Sequence, residues 1–164
     1  MIFKEKVNEY SIKSICDGAI LAYMHPRTAI NIVLQEIEED GSIGNQLACA
    51  INSVCMALLD ANIPMKYNFA SIHCSMLKED QNEGDNNNRI VYFPTAKQER
   101  NSSLIITFVF DSIDNDVMFV NTSGIFDQEN FDLMLKGAQK YANEKLFVFF
   151  NKQIKKKYSL HLEE

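Results

Sequence analysis

The chain has 164 residues, 46 % of them hydrophobic and 23 % charged, with a formal net charge of −6. Length and composition suit one ordinary globular domain spanning 1–164. The acidic balance argues against autonomous tight binding of RNA or DNA, whose affinity comes largely from neutralising phosphates, and leaves open a role inside a basic assembly.

The first expected element is a helix over residues 5–23. Ile12, Ile15, Cys16, Ala19, Ile20 and Tyr23 mark one stripe, with Lys13, Ser14 and Asp17 on the other side. His25-Pro26 ends it, since the residue before proline avoids helical geometry. Residues 28–37 alternate, with Ile30, Ile32 and Leu34 on one side and Asn31 and Gln35 on the other, which predicts a half-buried strand. The turn Asp40-Gly41-Ser42-Ile43-Gly44-Asn45 then feeds the most apolar stretch, a helix over 46–61. Leu47, Ile51, Val54, Cys55 and Leu58 share one face. Ala48, Cys49, Ala50, Met56, Ala57 and Leu59 leave little of the rest polar, so burial between layers is expected until Pro64 stops the helix. A glycine-containing turn before a helix can bind phosphate through free amides and the helix dipole, but no Arg or Lys follows on this first turn.

Strands are expected over 67–77, with Phe69, Ile72 and Met76 inside, and over 89–93, 103–111 and 116–122. Lys78 to Asn88 reads as a solvated hairpin tip, and Ile113-Asp114-Asn115 as the turn between the last two strands. A long helix runs from Asp127 to about residue 158, with Phe131, Leu135, Ala138, Ala142, Leu146 and Phe149 facing inward. Asp127 is its expected cap, and Glu129 favours its positive end. The order helix, strand, helix, four strands, helix gives an α+β (mixed α/β) fold with one sheet and helices packed on it.

Few motifs carry chemistry. Cys16, Cys49, Cys55 and Cys74 form no Cys-x-x-Cys pair and sit in apolar sequence, as reduced core thiols of an intracellular protein do. Gly-x-Ser-x-Gly, Walker A and dinucleotide fingerprints do not occur. His25, His73 and His161 have no motif around them, and His73 beside Cys74 reads as a packed or sheet-surface histidine rather than half of a protease dyad. Two acidic groups, Glu36, Glu38, Glu39 and Asp40, and Asp111, Asp114 and Asp116, suit either Mg²⁺ or a solvated turn. Lys152, Lys155, Lys156 and Lys157 close the last helix, where cations complement its dipole or contact RNA phosphates. The sequence is read as having no 18-residue apolar run and no signal-peptide core, so no membrane partner and a cytosolic or nuclear location are expected.

Several stretches in fixed order resemble the RNase PH-like family. They are His25-Pro26-Arg27-Thr28 leading into a strand, Leu47-Ala48-Cys49-Ala50-Ile51-Asn52 with Met56-Ala57-Leu58-Leu59-Asp60-Ala61, Pro94-Thr95-x-x-Gln98-Glu99, and the tail Phe149-Phe150-x-x-x-Ile154-x-x-x-Tyr158-Ser159. The resemblance implies a ribosomal protein S5 domain 2-like fold and phosphorolytic chemistry, in which inorganic phosphate attacks the terminal RNA linkage. Active members hold phosphate with a Thr-Arg pair, here Gln46 and Leu47, and a metal with two aspartates, here Glu99 and Ile105. An arginine before the first helix maps near Lys4. Leucine cannot donate to phosphate and isoleucine cannot ligate a metal, so cationic and metal stabilisation of the transferring phosphoryl group is lost.

The resemblance therefore implies a non-catalytic subunit of the RNA exosome ring, with no cofactor and no metal. Other RNase PH-like ring subunits would be its partners. RNA would be held weakly or within the assembly, at Lys152, Lys155, Lys156 and Lys157, in the nucleus, nucleolus and cytoplasm. A residual metal-dependent nuclease using acids near Glu99 and Asp111 is the alternative, and a binding module outside any exosome is a third reading. The family domain begins with strands ahead of the first helix, whereas here Met1 lies only a few residues before it. The domain is thus expected to be partial, with helices 5–23 and 46–61 short of a covering layer.

Overall fold

The computed structural model describes residues 2–38, 41–77, 90–125 and 127–160, and the side chains of 6–159 among them. A four-stranded antiparallel sheet of order β2-β1-β3-β4 organises these segments. β1 (Phe69–Leu77) and β3 (Ser102–Asp111) form its long centre, flanked by β2 (Ile90–Tyr92) and β4 (Val117–Gly124). The register sets Ile72 opposite Phe108 and His73 opposite Thr107. Alternation then sends Ile72, Cys74 and Phe108 to one face and Ser71, His73 and Thr107 to the other. The expected α+β architecture and its strands from Phe69 onward are present. The hairpin tip expected over 78–88 lies outside the described residues.

Each face has its own helix. On the first lies α4 (Gln128–Tyr141), where Phe131 meets Phe108 edge-on at 5.6 Å and Tyr141 stacks on Tyr92 at 4.8 Å. On the second lies α2 (Ile43–Asp60), capped by Ser42, whose side chain accepts from the Asn45 amide at 3.2 Å. The expected stripe Leu47, Ile51, Val54, Cys55 and Leu58 is buried. The sandwiched position expected for this helix is not found, because Cys49 and Ala57 are exposed and only one face is covered. At 18 residues α2 is also long and apolar enough, by length and composition alone, to cross a membrane, which corrects the expectation that no such run exists. Here its apolar face lies on the sheet.

The contact between α2 and β1 is more than apolar. β2 pairs only with Cys74–Met76, so the edge of β1 away from β3 has no described strand beside it from Phe69 to His73. In an antiparallel pair alternate residues aim their backbone groups away from the partner, and here those groups need other partners. Asn52 of α2 accepts from the Ser71 N–H at 2.7 Å and donates to the Ser71 carbonyl at 2.8 Å. Cys55 Sγ accepts from the Phe69 N–H at 3.5 Å, and the Phe93 N–H donates to the His73 carbonyl at 2.7 Å. The Asn52 amide makes the two bonds that a neighbouring strand would make.

The N-terminal part departs from expectation in two places. α1 (Ile2–Ala19) buries Ile12, Ile15, Cys16 and Ala19 but ends before Tyr23, which is 77 % exposed. The chain is drawn out of the helix by pairing with 64–66: Leu21 N–H bonds the Pro64 carbonyl at 3.0 Å, and Lys66 N–H bonds that of Ala19 at 2.8 Å. A 3₁₀ turn, Ala22–Met24, follows. Residues 28–38 then run without strand pairing and exposed throughout, so the strand expected over 28–37 is absent. The alternation is there, but a strand needs a neighbour, and none of the described residues provides one. A short helix that periodicity does not show, α3 (Ala96–Arg100), is opened by a capping box between Thr95 and Gln98.

The C-terminal helix is interrupted. Asp127 stands at the cap position of α4, yet its side chain makes no cap hydrogen bond, so it acts there through charge alone. A π-helical stretch, Ala142–Phe147, separates α4 from α5 (Val148–Leu160). Its i→i+5 bonding adds a residue to the turn and slides the apolar stripe by one position. Met134, Ala138 and Ala142 are buried as an α-helix dictates, and then Phe147 and Phe150. Phe149, expected inside, is 50 % exposed. The end of α5 reaches α2, where Lys157 pairs with Asp60 and the Tyr158 hydroxyl donates to Asn62 at 2.6 Å.

Asn52→Ala leaves two backbone groups of Ser71 without partners and should lower stability by about 1–3 kcal/mol. Urea unfolding measures it, with exposed Asn121→Ala on β4 as the control. The shifted stripe makes a second expectation: Phe150→Ala should cost about 3–5 kcal/mol, and Phe149→Ala less than half as much.

Candidate functional site

The sequence positions of interest converge on the N-terminal end of α2. Gln46 and Leu47 lie in its first turns, Glu99 lies in α3, and Ile105 lies on the β3 face shared by Thr107. At their centre is His73. Its Nδ1 is hydrogen-bonded to Thr107 Oγ1 at 2.9 Å, and its Nε2 is 3.9 Å from Glu99 Oε1. Gly44 packs directly over the ring, since a Cβ there would fall 1.9 Å from His73 Cε1. Asn45 Nδ2 donates to the Pro94 carbonyl at 2.7 Å and ties the same helical turn to the segment leading into α3. Phe93, just before it, has φ of 52°, an uncommon backbone state for a bulky residue.

This arrangement uses its polar groups internally. His73 and Thr107 are buried, so the Thr107 hydroxyl is not presented to a substrate. Gln46 donates to the Glu36 carboxylate at 2.8 Å, toward the 28–38 segment. Leu47 is 3 % exposed and belongs to the core. Ile105 is half-buried and apolar. Glu99 alone of the four carries a charge, and it faces His73. The side chain of Lys4 lies outside the described ones.

The acidic turn has a structural use. Asp111 Oδ1 accepts from the amides of Ile113, Asp114 and Asn115 at 2.7, 2.8 and 3.2 Å, and Oδ2 from that of Asp116 at 3.0 Å. Desolvation alone would raise the Asp111 pKa, but the four donors outweigh it and hold the carboxyl below its ordinary value. Asp114 and Asp116 are exposed. Glu36 is engaged by Gln46, while Glu39 and Asp40 lie outside the described residues. Among the described residues no three His, Cys, Asp or Glu side chains gather as a metal site.

The thiols are divided. Burial pushes Cys16 and Cys55 up to about 11 and Cys74 to about 12, which keeps them protonated and poor nucleophiles. Cys49 is exposed, contrary to the expectation that all four lie in the core, because it sits on the uncovered side of α2. Lys152, Lys155 and Lys156 are exposed along α5, and Lys157 holds α5 to Asp60. The sequence reading missed the role of His73 and Thr107 as a buried hub. The signals available were the Thr-x-x-Gln capping box beside it and a histidine in an otherwise apolar strand.

Residues 4–64 match the 3' exoribonuclease family, domain 1. The chain is similar to the exosome complex component rrp46 of Schizosaccharomyces pombe, 33 % identical over 141 residues that cover 85 % of this chain and 58 % of that protein. It is also similar to the exosome complex component RRP46 of Saccharomyces cerevisiae, 26 % identical over 147 residues covering 84 % of this chain and 63 % of that one. Residues 4–64 thus carry the pattern of that family's first domain, and the similarity to rrp46 extends over most of the chain. The chain shares the RNase PH-like fold of the rice (Oryza sativa) Rrp46 crystal structure, with a TM-score of 0.76, 24 % identity, and coverage of 92 % of this chain and 66 % of that one. The chain spans less than two thirds of the length of these RNase PH-like relatives.

The Asp111 turn yields a pH dependence. A carboxyl depressed on folding contributes stability that is present above its unfolded pKa and lost as pH falls through the folded value. Urea midpoints should therefore decline below about pH 4. Asp111→Asn should be less stable than wild type near neutrality and show a flatter acid decline. Parallel wild-type and variant curves over that range would contradict this account.

Proposed function

We propose that this chain is a non-catalytic structural subunit of an RNA exosome ring, taking part in 3'-to-5' RNA processing and degradation without carrying out the cleavage. One observation carries the reading. Leu47, at the position where active relatives need a phosphate-binding arginine, is a buried member of the core. Its burial is worth about 1.5–3 kcal/mol to packing, and it offers no charge to an anion. Ile105 supports the same reading from the metal side, and the resemblance to exosome components named rrp46 supports the ring assignment.

In this role the partners are other RNase PH-like ring subunits, and no cofactor or metal takes part. RNA is held weakly, through exposed Lys152, Lys155 and Lys156 on α5, with Lys157 shared with Asp60. A net charge of −6 limits that affinity in isolation. In this reading residues 1–164 act as one RNase PH-like domain, and the nucleus, nucleolus and cytoplasm are its proposed locations.

The chain mixed with single-stranded RNA, Mg²⁺ and inorganic phosphate should release no nucleoside diphosphate above background. Phosphate-dependent release that is lost in Glu99→Ala would overturn the proposal. Leu47→Arg should restore no activity and should lower the melting temperature, because a buried unpaired guanidinium costs several kcal/mol, on the order of the values for other desolvated charges. Fluorescence anisotropy at physiological salt should give an RNA Kd on the order of 10⁻⁶ to 10⁻⁴ M, weakening steeply as salt rises.

A further inference from the structure

Ser159 stands exposed in the last turn of α5, directly after a run of cations. Lys155, Lys156 and Lys157 precede it by four, three and two residues. Its hydroxyl donates to the Lys156 carbonyl at 3.0 Å, within its own helix. Residues three and four apart on a helix are neighbours, so Lys155 and Lys156 share the face of Ser159. Lys157 and Tyr158 take the other side, where they pair with Asp60 and Asn62 at the end of α2. That clasp turns the serine and its two lysines outward, and Lys155 and Lys156 are exposed. Ser103, with Arg100 three residues ahead of it, is placed differently: it lies in the central strand β3 and donates across to the Met76 carbonyl at 3.3 Å.

We propose that Ser159 is a phosphorylation site, taken by a serine kinase whose cleft reads basic residues ahead of its target, and that the phosphate neutralises the basic face of α5. The lysine run supplies the recognition, because an acidic cleft selects it by charge complementarity. Ser159 Oγ attacks the γ-phosphorus of ATP. The Oγ–P bond forms as the bond to the β–γ bridging oxygen breaks, ADP leaves with that electron pair, and the hydroxyl proton passes to the kinase's base. The product carries about −1.5 to −2 charges at pH 7 and three acceptor oxygens. Lys155 and Lys156, one turn back on the same face, are its nearest cations. Two positive charges thus meet a dianion, and the net charge of the chain moves from −6 to about −8. Lys157 stays with Asp60 on the other side of the helix. The modification does not depend on ring membership, whereas its effect on RNA rests on the reading that the α5 lysines hold RNA.

The full chain is incubated with Mg²⁺, radiolabelled ATP and the catalytic domain of protein kinase C, beside a peptide of residues 151–160 and the Ser159→Ala chain. Chain and peptide should both take up label, mass spectrometry should place it on Ser159, and Ser159→Ala should lose it. A chain carrying Lys155→Ala and Lys156→Ala should be labelled about tenfold more slowly, as loss of charge complementarity dictates. Label on the peptide but not on the chain, label on Ser103 in place of Ser159, or an unchanged rate in the lysine variant would each overturn the site. Neutralisation is read by phosphorus NMR: the second pKa of the phosphoserine should lie below about 6 in the chain and return toward that value in the lysine variant. Equal titrations of the two would overturn the neutralisation. RNA anisotropy supplies the consequence. Phosphorylation should lower the slope of log Kd against log salt by about 1.4, from two cations at about 0.7 each on a single strand. If the lysine substitutions leave RNA binding of the unmodified chain unchanged, the RNA reading of α5 fails and the site stands on its label and titration. If they weaken it and the phosphorylated chain still binds as the unmodified one does, the proposal fails.

Discussion

One side-chain amide completes the sheet of this protein. Asn52 accepts from and donates to the backbone of Ser71, on the edge of β1 that faces away from β3 and has no described strand beside it there. An unpaired central edge would leave buried peptide groups at a cost comparable to lost hydrogen bonds. Cys55 and Phe93 extend the same arrangement to either side. α2 therefore does two jobs at once. Its apolar stripe covers a face of the sheet, and its polar residues close an edge. Its axial position and rotation are set by the second job, because hydrogen bonds are directional where burial is not.

That fixed position accounts for the state of the candidate site. With α2 pinned at Asn52, its first turns come down on β1 at His73, and only glycine fits where Gly44 meets the ring. Leu47, less than two turns before Asn52, is carried into the core along with Ile51. Thr107, Glu99 and Asn45 then supply polar partners around the same point, tying α3 and β3 to the helix end. The groups that a reaction centre would leave open to a ligand are here spent on holding elements together.

Much of this was legible in the sequence, for identifiable reasons. The stripe Leu47, Ile51, Val54, Cys55 and Leu58 is a strong periodic signal and appears as read. The strands from Phe69 onward are β-rich runs separated by turn residues, and two of their three pairings join strands consecutive in the chain. The segment 28–37 failed for a different reason. Its alternation describes which way side chains point, whereas strand formation is a property of a pair of segments. Phe149 failed because periodicity assumes an unbroken α-helix, and nothing in the composition of Ala142–Phe147 announces a π turn. Cys49 was misplaced because apolar content all round α2 suggests two covered faces, while only one is covered. The hub at His73 joins residues 34 and 26 positions apart in sequence, a closure that only the β1–β3 register brings about.

The π turn has a further consequence, in the language of phase. Each residue advances an α-helix by about 100°, so one extra residue between α4 and α5 turns everything after it by that angle relative to what came before. α4 keeps its apolar side toward the sheet, while α5 presents Phe150 to the core and Lys157 and Tyr158 to the end of α2. A single continuous helical rod thereby serves two layers that face in different directions. The length of this rod is consequently less important than its count. Losing one residue anywhere between Ala142 and Phe147 would leave the helix intact and put thirteen residues of α5 out of step with both of their partners.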